Sequence, residues 1–104
     1  MDLNEDPLDL EAEPERAREK AQREAAASAR EADDWTWLMD TPRGRRIVWS
    51  LLEKTGVYRT SFSPASDSQT AFNEGQRNVG LVIVTAIMAH TPDLFVIMQK
   101  EAAE

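Results

Sequence analysis

Apolar residues recur at helical spacing through most of the chain, and prolines or a glycine separate the apolar segments. Apolar residues three and four positions apart are typical of α-helices that pack one face on a core. Thr41–Pro42 joins a capping residue to a proline suited to a first helical turn, and Gly56 is a typical helix end. Ser66, followed three residues later by Gln69, resembles a capping box. The predicted core helices are residues 34–39, 42–55, 68–90 and 92–98.

Large apolar side chains are scarce before residue 34. Residues 1–13 are predicted to be a flexible acidic arm, which either keeps the protein soluble or docks its three leucines on a partner. Residues 14–33 are rich in strong helix formers and predict a charged, alanine-rich helix. This helix is either solvated or packed against another helix in an assembly. The alanines proposed for that contact are Ala17, Ala21, Ala25 and Ala29.

The pattern as a whole predicts an all-α fold. A compact helical domain of about four helices, residues 34–104, follows the alanine-rich helix. Thr91–Pro92 repeats the cap-and-proline signal and predicts the start of the last helix. The segment before the longest helix is serine-rich and extended, and we expect Tyr58 and Phe62 to anchor it on the domain.

The second half of the longest helix, residues 79–89, is apolar on almost every side. Such a helix needs cover all round, and three short helices of one chain offer little of it. We therefore expect a homo-oligomeric contact here; the alternative is a helix wrapped fully by its own domain. Glycines inside the helix favour close approach of another helix. The residues predicted for this interface are Gly75, Val79, Val82, Ile83, Ala86 and Ile87.

Three arginines, Arg43, Arg45 and Arg46, lie in the first turn of the second core helix. Cations there oppose the helix dipole, so an anionic partner is expected. An acidic side chain of the same or another chain is one candidate, and nucleic-acid phosphate is the other. The acids considered are Asp33, Asp34, Asp40, Glu53 and Glu74.

The side chains that carry catalysis and metal binding are few. The sequence has no cysteine and a single histidine, His90, and its serines lack a glycine-framed nucleophile turn. We predict no catalytic residue, no metal site, no cofactor and no enzyme activity. No apolar run approaches the ~20 residues that cross a bilayer, so no integral membrane segment is expected. The net charge of -7 equals the seven acids of residues 1–15, because acids and bases balance in the remainder.

A set of short motifs resembles a known family. The motifs are Trp37-Leu38-Met39, Pro42-Arg43-Gly44-Arg45-Arg46, Trp49, Leu51-Leu52-Glu53, Gly56-Val57-Tyr58-Arg59-Thr60-Ser61-Phe62 and Phe72-Asn73-Glu74-Gly75-Gln76-Arg77-Asn78-Val79-Gly80-Leu81. Together they resemble the small tailed-bacteriophage proteins grouped as the Bordetella-phage-like phage domain, over residues 34 to about 101.

The resemblance implies a virion or morphogenesis protein of a short-tailed phage. It would be made in the host cytoplasm and then built into the virion, inside the head near the portal and the DNA-ejection machinery. Its implied partners are itself, other virion proteins such as portal or internal core proteins, and packaged DNA. The alternatives are an assembly or scaffold-like helper absent from the mature particle, and a DNA-contacting packaging or ejection accessory protein.

Overall fold

The computed structural model describes the backbone of residues 7–104 and the side chains of residues 12–104. It contains four helices: α1 (Pro7–Met39), α2 (Pro42–Thr55), α3 (Asp67–His90) and α4 (Pro92–Ala102). No strand forms among the described residues, which confirms the all-α prediction. The chain divides into two units, one ending at Glu31 and the other spanning Ala32–Glu104.

Helix α1 differs from the sequence prediction at both ends. It begins at Pro7, so residues 7–13 are helical where an unstructured arm was expected, and residues 1–6 of that arm lie outside the described residues. Pro7 fits a first helical turn as well as Pro14 does, and Pro14 inside the helix removes one backbone donor. The predicted break at Asp33–Asp34 is also wrong: no glycine or proline stands there, and the helix runs on to Met39.

The described part of the first unit is a single helix, and its residues 13–31 are exposed in the isolated chain. The four alanines proposed for a helix contact are all exposed. Oppositely charged side chains pair along its surface, as between Arg18 and Glu15 at 3.2 Å and between Arg16 and Glu13 at 3.9 Å. Such pairs stabilise a helix by about 0.2–0.5 kcal/mol each. Local interactions of this kind hold α1 in this unit.

Helix α2 begins and ends as predicted. The Thr41 hydroxyl accepts a hydrogen bond from the Gly44 N–H at 3.1 Å, and Pro42 occupies the first turn. Gly56 ends the helix in the left-handed conformation, with φ of 72°, and its N–H donates to the Glu53 carbonyl. Gly44 is required because a Cβ there would overlap the Leu38 carbonyl oxygen in the last turn of α1. The first turn of α2 therefore packs directly on the end of α1.

Helix α3 begins at the predicted cap. The Ser66 hydroxyl accepts from the Gln69 N–H at 3.0 Å, and the helix ends at His90 as expected. The prediction that the Thr91 side chain caps α4 is wrong. Its hydroxyl donates to the Ile87 carbonyl at 3.3 Å and so satisfies the end of α3, while its backbone carbonyl accepts from the first turn of α4.

A small core holds the second unit together. The buried apolar residues come from all four helices and the loop after α2: Met39, Val48, Leu52, Val57, Ile87 and Met98. Seven partly buried residues pack around them. In the loop, Tyr58 stacks on Trp49 with ring centroids 5.4 Å apart. Phe62 remains 67% exposed, so the prediction that it anchors the loop is wrong.

Candidate interaction surfaces

Helix α3 presents an exposed row of apolar and small residues that repeats every three and then four positions. The row, called the α3 seam below, is Phe72, Gly75, Val79, Val82, Ala86 and Ala89. Its three large side chains are 61%, 55% and 69% exposed. Gly75 and Ala89 are also exposed, and Ala86 is half-buried. Alternating spacings of three and four are those of the a and d positions that pair helices in coiled coils.

The seam contains four of the six residues predicted for the interface. Ile83 is half-buried against the core, and Ile87 is fully buried within it. These two isoleucines lie one turn apart on the side of α3 that packs on α2 and α4, so Ile87 is unavailable to a partner. Sequence reasoning missed Phe72 and Ala89. The alternating spacing of three and four positions would have identified both residues. The criterion used instead, the all-round apolarity of residues 79–89, does not distinguish one side of the helix from another.

The two glycines within α3 have different surroundings. A Cβ on Gly80 would overlap the Thr55 hydroxyl and lie 2.9 Å from Val57 Cβ, so α3 approaches the end of α2 closely at this point. At Gly75 nothing else in the described chain lies within 4 Å of the same position. Close approach within the chain therefore explains Gly80. At Gly75 the seam has space for a side chain that no other part of the described chain fills.

Arg45 forms an ion pair inside the domain. It is only 8% exposed, and its Nε and Nη2 donate to the two carboxylate oxygens of Glu101 at 2.6 and 2.9 Å. Its Nη1 donates to the Met39 carbonyl at 2.8 Å. These hydrogen bonds hold the pKa of the Glu101 carboxyl below its ordinary value and raise the pKa of Arg45.

The expectation of an acidic partner thus holds for Arg45, but the acid was misidentified. Glu101 was not among the candidates because it lies 56 positions away in sequence. The pair ties the end of α1, the start of α2 and the end of α4 together. Arg45 is therefore unavailable to an external anion, so of the two expected kinds of partner it has the acidic side chain and not a phosphate.

Arg43 and Arg46 belong to a different surface. With Lys54 they lie on the outer side of α2, where they surround exposed aliphatic side chains. This surface, called the α2 basic face below, consists of Arg43, Arg46, Ile47, Ser50, Leu51 and Lys54. It carries three cations and no acid. Sequence reasoning found the two arginines; the helical repeat brings Lys54 to the same side.

Metal binding and membrane insertion have little support among the described residues. No group of three or more His, Cys, Asp or Glu side chains within residues 12–104 could hold a metal ion. None of the helices described is long and apolar enough to span a bilayer. A groove beside Trp49 is open and lined by residues of α2 and the end of the chain, including both members of the Arg45–Glu101 pair.

The sequence of the helical domain identifies its family. A family model described as Bbp19-like phage protein matches residues 35–100. The chain belongs to the Bbp19-like phage protein family. The α3 seam and the α2 basic face both lie within the matched residues, whereas the first unit lies before them. This match confirms the resemblance to small phage proteins. No curated protein and no solved structure matches the chain.

Proposed function

We propose that this Bbp19-like phage protein is a minor structural component of a short-tailed phage virion. It lies inside the head near the portal and ejection machinery, self-associates through the α3 seam, and acts by protein contacts without catalysing a reaction. Family membership supports the phage context. The observation that carries self-association is the exposed, regularly spaced seam on the longest helix of the second unit.

The seam supplies enough apolar surface for a weak contact. Phe72, Val79 and Val82 are each more than half exposed, and covering the exposed part of such a residue stabilises by about 1–2 kcal/mol. Two seams in contact would cover six of these side chains, for about 6–12 kcal/mol in total. Association itself costs on the order of 4–15 kcal/mol. We expect micromolar or weaker affinity in solution, with further contacts stabilising the assembly in the particle.

Sedimentation of the purified full chain over a concentration series tests the seam. The wild-type chain should shift from monomer toward larger species, and Val82→Asp should keep it monomeric because a carboxylate would have to be desolvated in the contact. Val96→Asp is the matched control, since Val96 is also exposed but lies on α4. Circular dichroism checks that both variants fold. A wild-type chain that stays monomeric throughout, or a Val82→Asp variant that associates normally, removes this proposal.

Mass spectrometry of purified virions tests the location. A structural component should be present at a constant ratio to the portal protein after the particles are washed with high salt and treated with protease. A protein that is abundant in infected cells but missing from virions would instead be an assembly or scaffold-like helper.

The exposed cations of the α2 basic face favour a DNA-contacting accessory role as the second candidate. Duplex DNA should then bind at low salt, and alanine at Arg43, Arg46 and Lys54 should abolish the binding. Undetectable binding at low salt would eliminate this candidate.

A further inference from the structure

The α2 basic face combines positive charge with exposed aliphatic surface. Arg43 and Lys54 mark the two ends of the face along the helix, and Ile47 and Leu51 between them are 54% and 46% exposed. Exposed aliphatic side chains beside exposed cations suit a partner that brings both carboxylates and apolar side chains. A nucleic-acid backbone would neutralise the cations but leave both aliphatic residues in water.

The chain itself contains a segment of that chemistry. Residues 2–11 carry five acids, three leucines and no base: Asp2, Leu3, Glu5, Asp6, Leu8, Asp9, Leu10 and Glu11 supply these groups. The next acids, Glu13 and Glu15, already pair with arginines of α1 at 3.9 and 3.2 Å. From residue 16 onward acids and bases are equal in number. The concentrated negative charge of the chain is therefore confined to its N-terminal segment.

We propose that the α2 basic face of one copy binds residues 2–11 of a second copy. The carboxylates face Arg43, Arg46 and Lys54, and the leucines cover Ile47 and Leu51. This contact rests on the proposed self-association but uses a surface separate from the α3 seam. It links copies head to tail, because each copy offers one segment and one face. Such a contact supplies the additional binding that the seam alone lacks.

Disulfide trapping in the full chain tests the contact, because the natural sequence has no cysteine. One copy carries Leu8→Cys and the other carries Ser50→Cys, at the middle of the α2 basic face. The matched control replaces Ser50→Cys by Ser61→Cys, which is also half-buried but lies in the loop before α3. Oxidised glutathione serves as the two-electron oxidant. Since a bound segment raises the local concentration of its thiol, the Ser50→Cys pair should form the disulfide between the two copies about ten-fold faster or more.

Charge reversal separates this contact from chance collision. Arg43→Glu and Lys54→Glu in the copy with Ser50→Cys should lower the rate to that of the loop control. Arg46 is left unchanged because its charge also acts on Glu101. Arg23→Glu and Lys100→Glu, two exposed positions outside the face, change the net charge equally and should leave the rate high. Raising the salt should also slow trapping, since screening shortens the range of the charge attraction.

Several outcomes would overturn the proposal. Equal rates with Ser50→Cys and Ser61→Cys, or rapid trapping after charge reversal, would show that the face does not bind the segment. A Leu8→Cys/Ser50→Cys double variant that closes within a monomer while the mixed pair does not react would assign the face to the chain's own segment. Duplex DNA binding to the face without mixed-disulfide formation would assign it to DNA. Repeating the trapping with Val82→Asp in both copies keeps the tests apart. Rapid trapping in that variant supports this contact even if the seam has failed in sedimentation. Slow trapping in copies that keep Val82 and associate in sedimentation overturns this contact alone.

Discussion

Alanine at the two glycines within α3 should change stability in opposite directions. Replacing a glycine in a helix interior by alanine stabilises by about 0.5–1 kcal/mol when the added methyl group has room. Gly75 has that room, because nothing else in the described chain lies within 4 Å of the new Cβ. Gly75→Ala should therefore raise the free energy of unfolding by about 1 kcal/mol. In a domain of this size, that corresponds to an increase of about 4–8 °C in the unfolding midpoint.

Gly80→Ala should lower the free energy of unfolding. Its Cβ would overlap the Thr55 hydroxyl and lie 2.9 Å from Val57 Cβ, and the second atom is fixed to the backbone and cannot rotate away. Overpacking of this kind costs about 1–3 kcal/mol. After subtraction of the helix-propensity gain of about 1 kcal/mol, the net loss should be up to about 2 kcal/mol, which lowers the midpoint by up to roughly 15 °C.

Thermal unfolding followed by circular dichroism measures both changes, at a protein concentration low enough to keep the chain monomeric. Thr55→Ala removes the overlapped hydroxyl, so a double variant with Gly80→Ala should recover about 0.5–1 kcal/mol relative to additivity. Recovery should be partial because Val57 remains in place. If Gly80→Ala stabilised the chain as much as Gly75→Ala, the close packing of α3 on the end of α2 would be refuted.

Further predictions concern the ion pair, the tyrosine, the core and the loop before α3. The pKa of Glu101 is held below its ordinary value of 4.5, so the pair with Arg45 contributes fully above that pH and is lost as the pH falls through the lowered pKa. Glu101→Gln should therefore reduce the loss of thermal stability on acidification from pH ~7 to ~3, and an unchanged loss would contradict this account. Burial raises the pKa of Tyr58, the single tyrosine, above its ordinary value of 10.0, so phenolate absorbance should appear at higher pH in the folded chain than in denaturant. The folded state should correspondingly lose stability as the pH rises above 10.0, and coincident titration curves would contradict this. Leu52→Ala should destabilise by about 2–5 kcal/mol in chemical denaturation, because that side chain is fully buried. Phe62→Ala should change stability by less than about 0.5 kcal/mol, and a comparable effect at both positions would show that the loop is packed more tightly than its exposure indicates.

The sequence by itself determined the helical class, most of the helix ends and the family. Caps such as Ser66 and stops such as Gly56 act through backbone groups a few residues away, so local sequence is sufficient to place them. Local sequence did not predict the start of α1 at Pro7 or its continuation through Asp33–Asp34, because the local signals at these positions are ambiguous. Proline is compatible with a first turn at either of two positions, and acidic residues that can cap a helix can also lie inside one.

Only the tertiary structure decided which side of each helix is available. Ile87 and Val82 are both apolar and lie five positions apart, yet one is fully buried and the other is 69% exposed. Their difference depends on where α2 and α4 pack. Arg45 likewise finds Glu101 56 positions away, while its neighbour Arg43 remains exposed beside Ile47. Side-chain type and spacing fix what a helix can contact, but long-range packing decides which residues remain for a partner.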